Sequence, residues 1–305
     1  MRRRAIIVVL IVVAAAACSS FDAALDSGAT TADAGGEARA DAQPDAAPGS
    51  DASDASDASI GCPVGDGPDM RVVTLLGGRK ICVDRTEVTT AQYATFRTRA
   101  LGLSPKEHTA LETKVPAACA PLAAVALSNA GGPDALPQVN VSFCSAAFYC
   151  AAQGKRLCGN AVDGAGVVIT DGGTSPPLEW TLACANGKAE NYFPWGSVEP
   201  SVAKSAGCLT QSTSPGAQGP RDAGAASACG PGDKLGPYDM IGNVWEWVNL
   251  RSDVDGGASY TGQLGGSFVG ATVDGCKGMT GADAVHGEYA NGNSETGFRC
   301  CGDAP

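Results

Sequence analysis

The chain has 305 residues, of which 44% are hydrophobic, and a formal net charge of −11. That length is enough to bury a sizeable core in one large domain or two small ones. The negative balance argues against a nucleic-acid-binding protein, because no basic patch is available to neutralise phosphates. The 41 glycines and 18 prolines predict a fold that is rich in loops.

Residues 1–17 form a predicted targeting signal. Three arginines, Arg2 to Arg4, precede an apolar run over residues 5–13, and small residues then lead to Cys18. The run is shorter than the roughly 20 apolar residues that a membrane-spanning helix needs. The pattern resembles a bacterial lipoprotein signal, in which the cysteine is acylated and becomes the new N-terminus. An ordinary secretory signal that is cut near the same place is the alternative.

The lipoprotein resemblance implies an exported protein that is anchored by a lipid on Cys18. In a Gram-negative cell the anchor would lie in the outer membrane, and the protein would face either the periplasm or the cell surface. Residues 18–61 follow as a predicted disordered tether, rich in Asp, Ala and Ser, with a Ser-Asp-Ala repeat from Ser50 to Ser59. Such a segment cannot bury enough apolar surface to offset its ordering entropy. Calcium binding by the acidic repeat is a weaker alternative, because nothing preorganises its carboxylates.

Residues 62–305 are predicted to form the folded domain. Two short strands are expected over residues 72–76 and 81–83, with Gly77-Gly78 as the turn between them. Thr89 or Thr90 is expected to cap a helix that runs to about Arg99. Residues 102–136 are weakly patterned and are interpreted as a long surface excursion.

Two further helices are expected. Ser142 is a suitable N-cap for the first, which presents one apolar face and ends at Gly154. The second begins near Pro176-Pro177 and stops at Gly187. An aromatic turn follows at residues 193–196, and the remainder alternates short strands with glycine turns. A few helices among many short strands and long loops indicate an α+β domain rather than a Rossmann fold or a helix bundle.

Thirteen cysteines are present, and twelve remain once Cys18 is set aside. An even number in an exported chain predicts a disulfide framework, and the absence of paired CxxC motifs argues against zinc. Connectivity cannot be deduced from one sequence. The pairs suggested here are Cys62–Cys82, Cys158–Cys184, and Cys276 with Cys300 or Cys301, whose adjacency predicts that they have different partners.

The motif around which the domain is organised spans residues 242–247, Gly-Asn-Val-Trp-Glu-Trp, where two of the four tryptophans flank a carboxylate. Six other motifs accompany it in order: residues 87–93, 155–157, 179–180, 193–196, 264–268 and 296–300. Together they resemble the formylglycine-generating-enzyme family, also called the sulfatase-modifying-factor domain, over about residues 70–302. The resemblance implies a compact, loop-rich variant of the C-type-lectin-like fold, stapled here by disulfides.

The resemblance is weaker for catalysis. The family's enzymes carry two reactive cysteines that bind copper(I) and activate oxygen to oxidise a substrate cysteine; the matching positions here are Gly270 and Gly275. Copper is therefore not expected, because a copper(I) site needs two close thiolates. Cys276, one position away, is interpreted as a half-cystine, although it and Ser267 are the catalytic candidates. Ser267 matches the family's pocket serine, or is simply a small residue under a glycine turn.

Metal binding has one candidate site. In relatives a calcium ion lies at the central turn, and the resemblance implies the side chains of Asp239 and Glu246 and the carbonyl groups of Gly242 and Val244 as its ligands. Hard oxygen ligands suit Ca²⁺. The alternative is that Glu246 caps the turn without a metal. A second family site would fall near residues 207–208, where no matching acidic residue is recognisable.

An iron centre is not expected, because the two histidines, His108 and His286, are far apart in sequence. Two functions stay open. The first is a non-catalytic binding or structural module, attached to the membrane by its lipid and carrying a structural calcium, with an unknown protein or glycan as ligand. The alternative is a divergent thiol oxidase that acts on a protein or peptide cysteine through Cys276.

Overall fold

The fold was examined in a computed structural model, which describes residues 61–120, 127–169, 176–197, 207–210, 214, 216–226, 229–231, 236–252, 260–269, 275–276 and 292–305. The described helices are α1 (Thr90–Ala100), α2 (Pro105–Glu112), α3 (Phe143–Ala152) and α4 (Glu179–Cys184). The strands are β1 (Met70–Thr74), β2 (Lys80–Asp84), β3 (Arg156–Leu157), β4 (Val167–Ile169), β5 (Trp245–Ser252), β6 (Tyr260–Leu264), β7 (Thr296–Phe298) and β8 (Cys300–Asp303). The signal segment, Cys18 and the tether up to residue 60 lie outside the described residues.

The strands form two small sheets. The first has the order β1-β2-β8-β3 and is antiparallel throughout, so the C-terminal strand lies in its interior. In the second, β5 pairs antiparallel with β6 and parallel with β4 and β7. The predicted hairpin of β1 and β2 is confirmed, and Gly77 and Gly78 adopt φ angles of 86° and 85° in its turn. These left-handed conformations favour glycine.

The predicted helix signals correspond to real caps. The Thr89 side chain accepts a hydrogen bond from the Gln92 backbone N–H at the start of α1, and Ser142 caps α3 in the same way. Gly154 follows α3 with φ 70°. The single apolar face expected for α3 is wrong in extent, because all residues from Phe143 to Ala151 are buried. The fourth helix starts later than predicted, at Glu179.

One helix was missed. The stretch read as an irregular excursion contains α2, in which Ser104 and Glu107 form a reciprocal capping box and Pro105 occupies the first turn. Both features are standard helix-start signals. The helix buries none of its residues, so the weak apolar pattern that hid it reflects its surface position.

Two apolar clusters form most of the core, and β8 passes between them. Cys300 belongs to the cluster that surrounds α1 and α3, which includes Phe298 and Trp247. Cys301 belongs to the cluster that surrounds Trp180 on α4. Successive residues of a strand point to opposite faces, so two neighbouring cysteines reach opposite sides of the sheet.

All twelve cysteines of the domain are paired. The six disulfides are Cys62–Cys82, Cys119–Cys144, Cys150–Cys300, Cys158–Cys301, Cys184–Cys276 and Cys208–Cys229. The first predicted pair is confirmed, as are the separate partners of the adjacent cysteines. The predicted Cys158–Cys184 pair and the pairing of Cys276 with the C-terminal cysteines are wrong. The reason is topological: β3 lies directly beside β8, which places Cys158 next to Cys301 and leaves Cys184 for Cys276.

Among the described residues, no helix is both long enough and apolar enough to span a bilayer.

Candidate functional site

The glutamate of the central motif forms a buried ion pair with an arginine from the far end of the chain. Gly242 and Asn243 turn the chain into β5 with φ angles of 79° and 61°. Glu246, the second residue of β5, is fully buried, as is Arg299. Arg299 donates from Nε to Glu246 Oε2 over 2.7 Å and from Nη2 to Oε1 over 2.6 Å. Trp180 Nε1 donates to the same Oε2 over 2.7 Å, so both carboxylate oxygens are engaged.

The rest of the Arg299 guanidinium binds backbone carbonyl groups. Nη1 donates to the Asp84 carbonyl over 3.2 Å, and Nη2 donates to the Tyr238 carbonyl over 2.8 Å. Burial lowers the pKa of Arg299, but the charge and hydrogen bonds of Glu246, together with the charges of Glu87 and Asp239, outweigh burial and make the net shift upward. The arginine therefore stays charged and ties β5, β2 and the segment before the central turn to one point.

Asp84 forms a second buried ion pair close by. Lys155 Nζ donates to Asp84 Oδ1 over 2.6 Å, and the Cys300 backbone N–H donates to Oδ2 over 2.9 Å. Burial raises the pKa of Asp84 to about 6, although Lys155 and the hydrogen bonds act in the opposite direction. This explains the Lys-Arg-Leu motif in part: its lysine neutralises a carboxylate at the centre of the first sheet.

Asp239 and Glu87 bring further buried negative charge to this region. Asp239 Oδ2 accepts from the Gly224 N–H over 2.6 Å and Oδ1 from the Ala226 N–H over 3.0 Å. Burial raises the pKa of Asp239 to about 6, against the influence of Arg299. Burial, and then the charge of Asp239, raise the pKa of Glu87 well above its ordinary value.

Asn243 connects Glu87 to the rest of the site. Its Nδ2 donates to Glu87 Oε1 over 2.9 Å, and its Oδ1 accepts from the Arg221 N–H over 2.9 Å. Its backbone carbonyl accepts from the Phe268 N–H over 2.9 Å. Glu87 Oε2 is buried and accepts no hydrogen bond from any described residue. A carboxylate in that position is costly in its ionised form, which agrees with the raised pKa.

Two of the four expected calcium ligands, the side chains of Glu246 and Asp239, are already engaged. Within the described part of the chain, Glu246 accepts hydrogen bonds from Arg299 and Trp180, and Asp239 accepts them from two backbone amides. A calcium ion needs oxygen lone pairs that converge on it, whereas Arg299 places a cation against Glu246. As arranged here, these two side chains do not fit a calcium site. Calcium binding at the turn stays a prediction of the sequence, as does the alternative that Glu246 caps the turn without a metal.

Ser267 lies next to the central motif and has an acidic partner. Its hydroxyl donates to Glu295 Oε2 over 2.9 Å and accepts from the Val269 N–H over 3.3 Å. The Glu295 carbonyl accepts from the Trp245 N–H over 2.8 Å, which places the serine, the glutamate and the first motif tryptophan together. Ser267 is buried, and Glu295 is half-buried. Glu295 was missed, although its position directly before the Thr-Gly-Phe-Arg motif was an available signal.

Cys276 has no thiol in this structure. Its sulfur lies 2.00 Å from that of Cys184 on α4, and its backbone N–H donates to the Tyr192 carbonyl over 2.6 Å. The preceding Gly275, which matches the second oxidase cysteine, is packed tightly. A Cβ placed there would lie 2.3 Å from Cε1 of Tyr192 and 2.5 Å from its backbone oxygen. A cysteine does not fit this position without displacing Tyr192, and Gly270 lies outside the described residues.

The remaining candidates do not join the site. His108 lies on α2, where its Nε2 is 3.3 Å from the Ala100 carbonyl oxygen, and His286 is outside the described residues. Among the described residues, no group of three or more His, Cys, Asp or Glu side chains is arranged to hold a metal ion.

Comparison with known proteins agrees with these motifs. The family model of the sulfatase-modifying factor enzyme 1-like domain matches residues 70–304. An inactive C-alpha-formylglycine-generating enzyme 2 of Mus musculus is 30% identical over 118 residues, covering 37% of this chain and 32% of the relative. A formylglycine-generating enzyme of Mus musculus is 28% identical over 116 residues, covering 37% of this chain and 27% of the relative. The chain thus spans about a third of the length of these relatives or less.

Among solved structures, PvdO from Pseudomonas aeruginosa is similar with a TM-score of 0.48 and 17% identity, covering 79% of this chain and 96% of that one. CarF is similar with a TM-score of 0.45 and 19% identity, covering 74% and 87%. The family model spans more than half of the chain and contains all the motifs described above. The chain therefore belongs to the family of sulfatase-modifying factor enzyme 1-like domains.

Proposed function

We propose that this chain is an exported, lipid-anchored member of its family that acts as a non-catalytic binding or structural module. The observation that carries the proposal is the Cys184–Cys276 disulfide beside a tightly packed Gly275. Oxidase chemistry of the family type needs two thiolates at close range to hold copper(I). Here the one nearby sulfur is oxidised and bonded, and the adjacent matching position has no room for a second.

The comparisons are compatible with this proposal but do not decide it alone. A relative that is named inactive and a relative that is named an enzyme match the chain at 30% and 28% identity. Both matches cover about a third of the relative or less, so they leave activity to be argued from the site. The geometry around Cys276 therefore carries more weight than the identities.

Export is supported by the six disulfides, because such bonds persist in oxidising compartments. Attachment to the membrane rests on the sequence around Cys18, as does the outer-membrane location. Labelling with a palmitate analogue tests it: label should enter the full chain and should be absent from Cys18→Ala. Label on both chains, or on neither, would contradict the anchor.

The catalytic question is tested by alkylating the native full chain and mapping its disulfides by mass spectrometry under non-reducing conditions. All twelve domain cysteines should be protected, and the Cys184–Cys276 peptide pair should be recovered. A matched control is Cys184→Ser, which frees Cys276 and should make it the alkylated residue.

The competing function is a divergent thiol oxidase that uses Cys276 on a protein or peptide cysteine. This function requires two results. The native chain must be alkylated at Cys276, and with copper(I) and oxygen it must oxidise a cysteine peptide. That pair of results would overturn the non-catalytic proposal. If the native thiol is protected and the Cys184→Ser variant is equally inactive, the disulfide alone does not account for the missing activity, which agrees with the lack of a second thiolate at Gly270 and Gly275.

A further inference from the structure

The three helices α1, α2 and α3 border a pocket. Its volume is about 290 Å³. This lies at the lower end of the range of roughly 300–1,000 Å³ for small-molecule sites. At about 30 Å³ for each water molecule in the liquid, it corresponds to about ten waters. The pocket therefore has the size for one short, single-chain molecule.

The floor of the pocket is apolar. Phe96 and Ala100 of α1 contribute to it, as do Leu103 in the loop after α1 and Ala110 and Leu111 on α2. Phe96 and Ala100 are almost fully buried and belong to the core cluster around α3, so this wall is fixed by the packing of the domain. An apolar chain laid on this floor would remove hydrophobic surface from water.

The outer wall is a helix held firmly in place although it contributes no buried residue to the core. The Ser104 N–H and hydroxyl donate to Glu107 Oε2 over 2.8 Å and 2.6 Å, which closes the first turn of α2. His108 contacts the Ala100 carbonyl oxygen at 3.3 Å and ties α2 back to α1. The pocket is thus preformed, with Ala110 and Leu111 of α2 in its lining and Leu111 also packed against the edge of the core cluster around α3.

The three charged side chains at the rim of the pocket differ in whether they already have a partner. Glu107 is engaged by Ser104, whose hydrogen bonds lower the pKa of this exposed carboxyl. Arg99 forms an exposed ion pair with Asp66, whose N–H in turn donates to Gln153 Oε1 over 2.8 Å. Lys114 lines the pocket and has no ion pair or side-chain hydrogen bond in the described part of the chain. One ammonium group is therefore left to complement an anion.

We infer that this pocket binds a small carboxylate with a single apolar chain of about eight carbons, with its chain on the Phe96 and Leu111 floor and its carboxylate at Lys114. The inference is independent of the proposed function, because it uses no residue of the Cys276 region. Octanoate is the probe: its ten heavy atoms match the volume. Octylamine, with the same chain and the opposite charge, is its counterpart.

Binding can be measured by methyl NMR on the full chain carrying Cys18→Ala, which removes the predicted acyl group. Octanoate should shift the methyl signals of Leu103 and Leu111. The methyl signals of Leu76, which is exposed in the β1–β2 turn, should stay in place. Octylamine should bind at least threefold more weakly than octanoate. No shift at the two pocket leucines up to the solubility limit of octanoate would overturn the inference.

Two variants locate the site and one serves as the control. Ala110→Phe should abolish the shift at Leu103 by filling the pocket from an exposed helix position, with circular dichroism checking that the domain still folds. Lys114→Ala should raise the Kd of octanoate about threefold to fivefold, as expected for one partly exposed charge pair. Lys106→Ala removes a lysine of α2 that is not in the pocket lining, and should leave the Kd unchanged. Unchanged binding by Ala110→Phe, or equal binding of octanoate and octylamine, would contradict the pocket or its charge preference.

Discussion

The buried pair of Glu246 and Arg299 allows a prediction with a defined magnitude. Glu246→Gln keeps the shape of the side chain and an oxygen that can accept from Trp180, but removes the negative charge that faces Arg299. Both partners are fully buried, so the guanidinium would lose its paired charge and keep only neutral acceptors, namely the backbone carbonyl groups and the amide oxygen of the glutamine. Breaking a buried ion pair by removing one member costs about 3–5 kcal/mol. That is a large part of the about 5–15 kcal/mol by which a domain is stable.

The assay is urea unfolding of the full chain under non-reducing conditions, followed by tryptophan fluorescence. The control is Asp66→Asn, which breaks the Arg99–Asp66 pair, whose side chains are 62% and 45% exposed. An exposed pair is worth at most about 1 kcal/mol, so the control should unfold almost like the parent. Combining Glu246→Gln with Arg299→Met removes the second charge as well, and should cost less than the sum of the two single changes. A loss below about 1 kcal/mol for Glu246→Gln, equal to that of the control, would refute the buried-pair reasoning.

Three other predictions follow. Adding calcium or a chelator should leave the melting temperature unchanged, because Glu246 and Asp239 are already engaged by nitrogen donors. If calcium raises the melting temperature and Glu246→Gln abolishes that increase, the calcium ligands expected from the sequence are supported instead. The unfolding free energy should fall as the pH rises from about 4 through 6, because the folded-state pKa values of Asp84 and Asp239 are raised to about 6 and the folded state then binds more protons than the unfolded state. Between about pH 5 and 7 the fall should be on the order of 2 kcal/mol. Urea midpoints at these two pH values measure it, and equal midpoints would contradict it. Gly275→Ala should destabilise the domain by about 1–3 kcal/mol through overpacking against Tyr192. Gly131→Ala should have little effect, because a Cβ added there would have no atom within 4 Å. Equal melting temperatures for the two variants would contradict the packing at Gly275.

Features that depend on local sequence could be predicted. The cap at Thr89, the cap at Ser142 and the glycine turn of the first hairpin each depend on residues within four positions of one another. The helix α2 carried equally local signals, in the Ser-Pro-x-Glu order of residues 104–107, and was missed because its apolar pattern is weak. The information was present there, but hydrophobic periodicity reports burial, and this helix has no fully buried residue, with Leu111 only partly buried against the core.

Features that depend on long-range topology could not be predicted from the sequence. The partner of Glu246 is 53 positions away, and nothing near either residue identifies the other. The disulfide pairing likewise follows from the place of β8 between β2 and β3, which decides which cysteines become neighbours. Strand order in a sheet is a property of the whole chain, so the pairs of Cys158 and Cys184 were assigned wrongly while the even count of cysteines was interpreted correctly.

The arrangement around Gly275 joins these two kinds of information. Its spacing from Ser267 identifies it as a catalytic position by resemblance, and the fold shows what fills that position instead. The ring and carbonyl group of Tyr192 lie where a side chain at residue 275 would begin, and the next residue is fixed to α4 by a disulfide. Replacing the glycine by cysteine would therefore displace Tyr192 and strain the segment that the disulfide holds. Restoring the pair of cysteines that the resemblance assigns to the family's enzymes would therefore require changes to Tyr192 and Cys184 as well as the two new cysteines. The packing around residue 275, and not only the identity of the two missing cysteines, separates this site from such a pair.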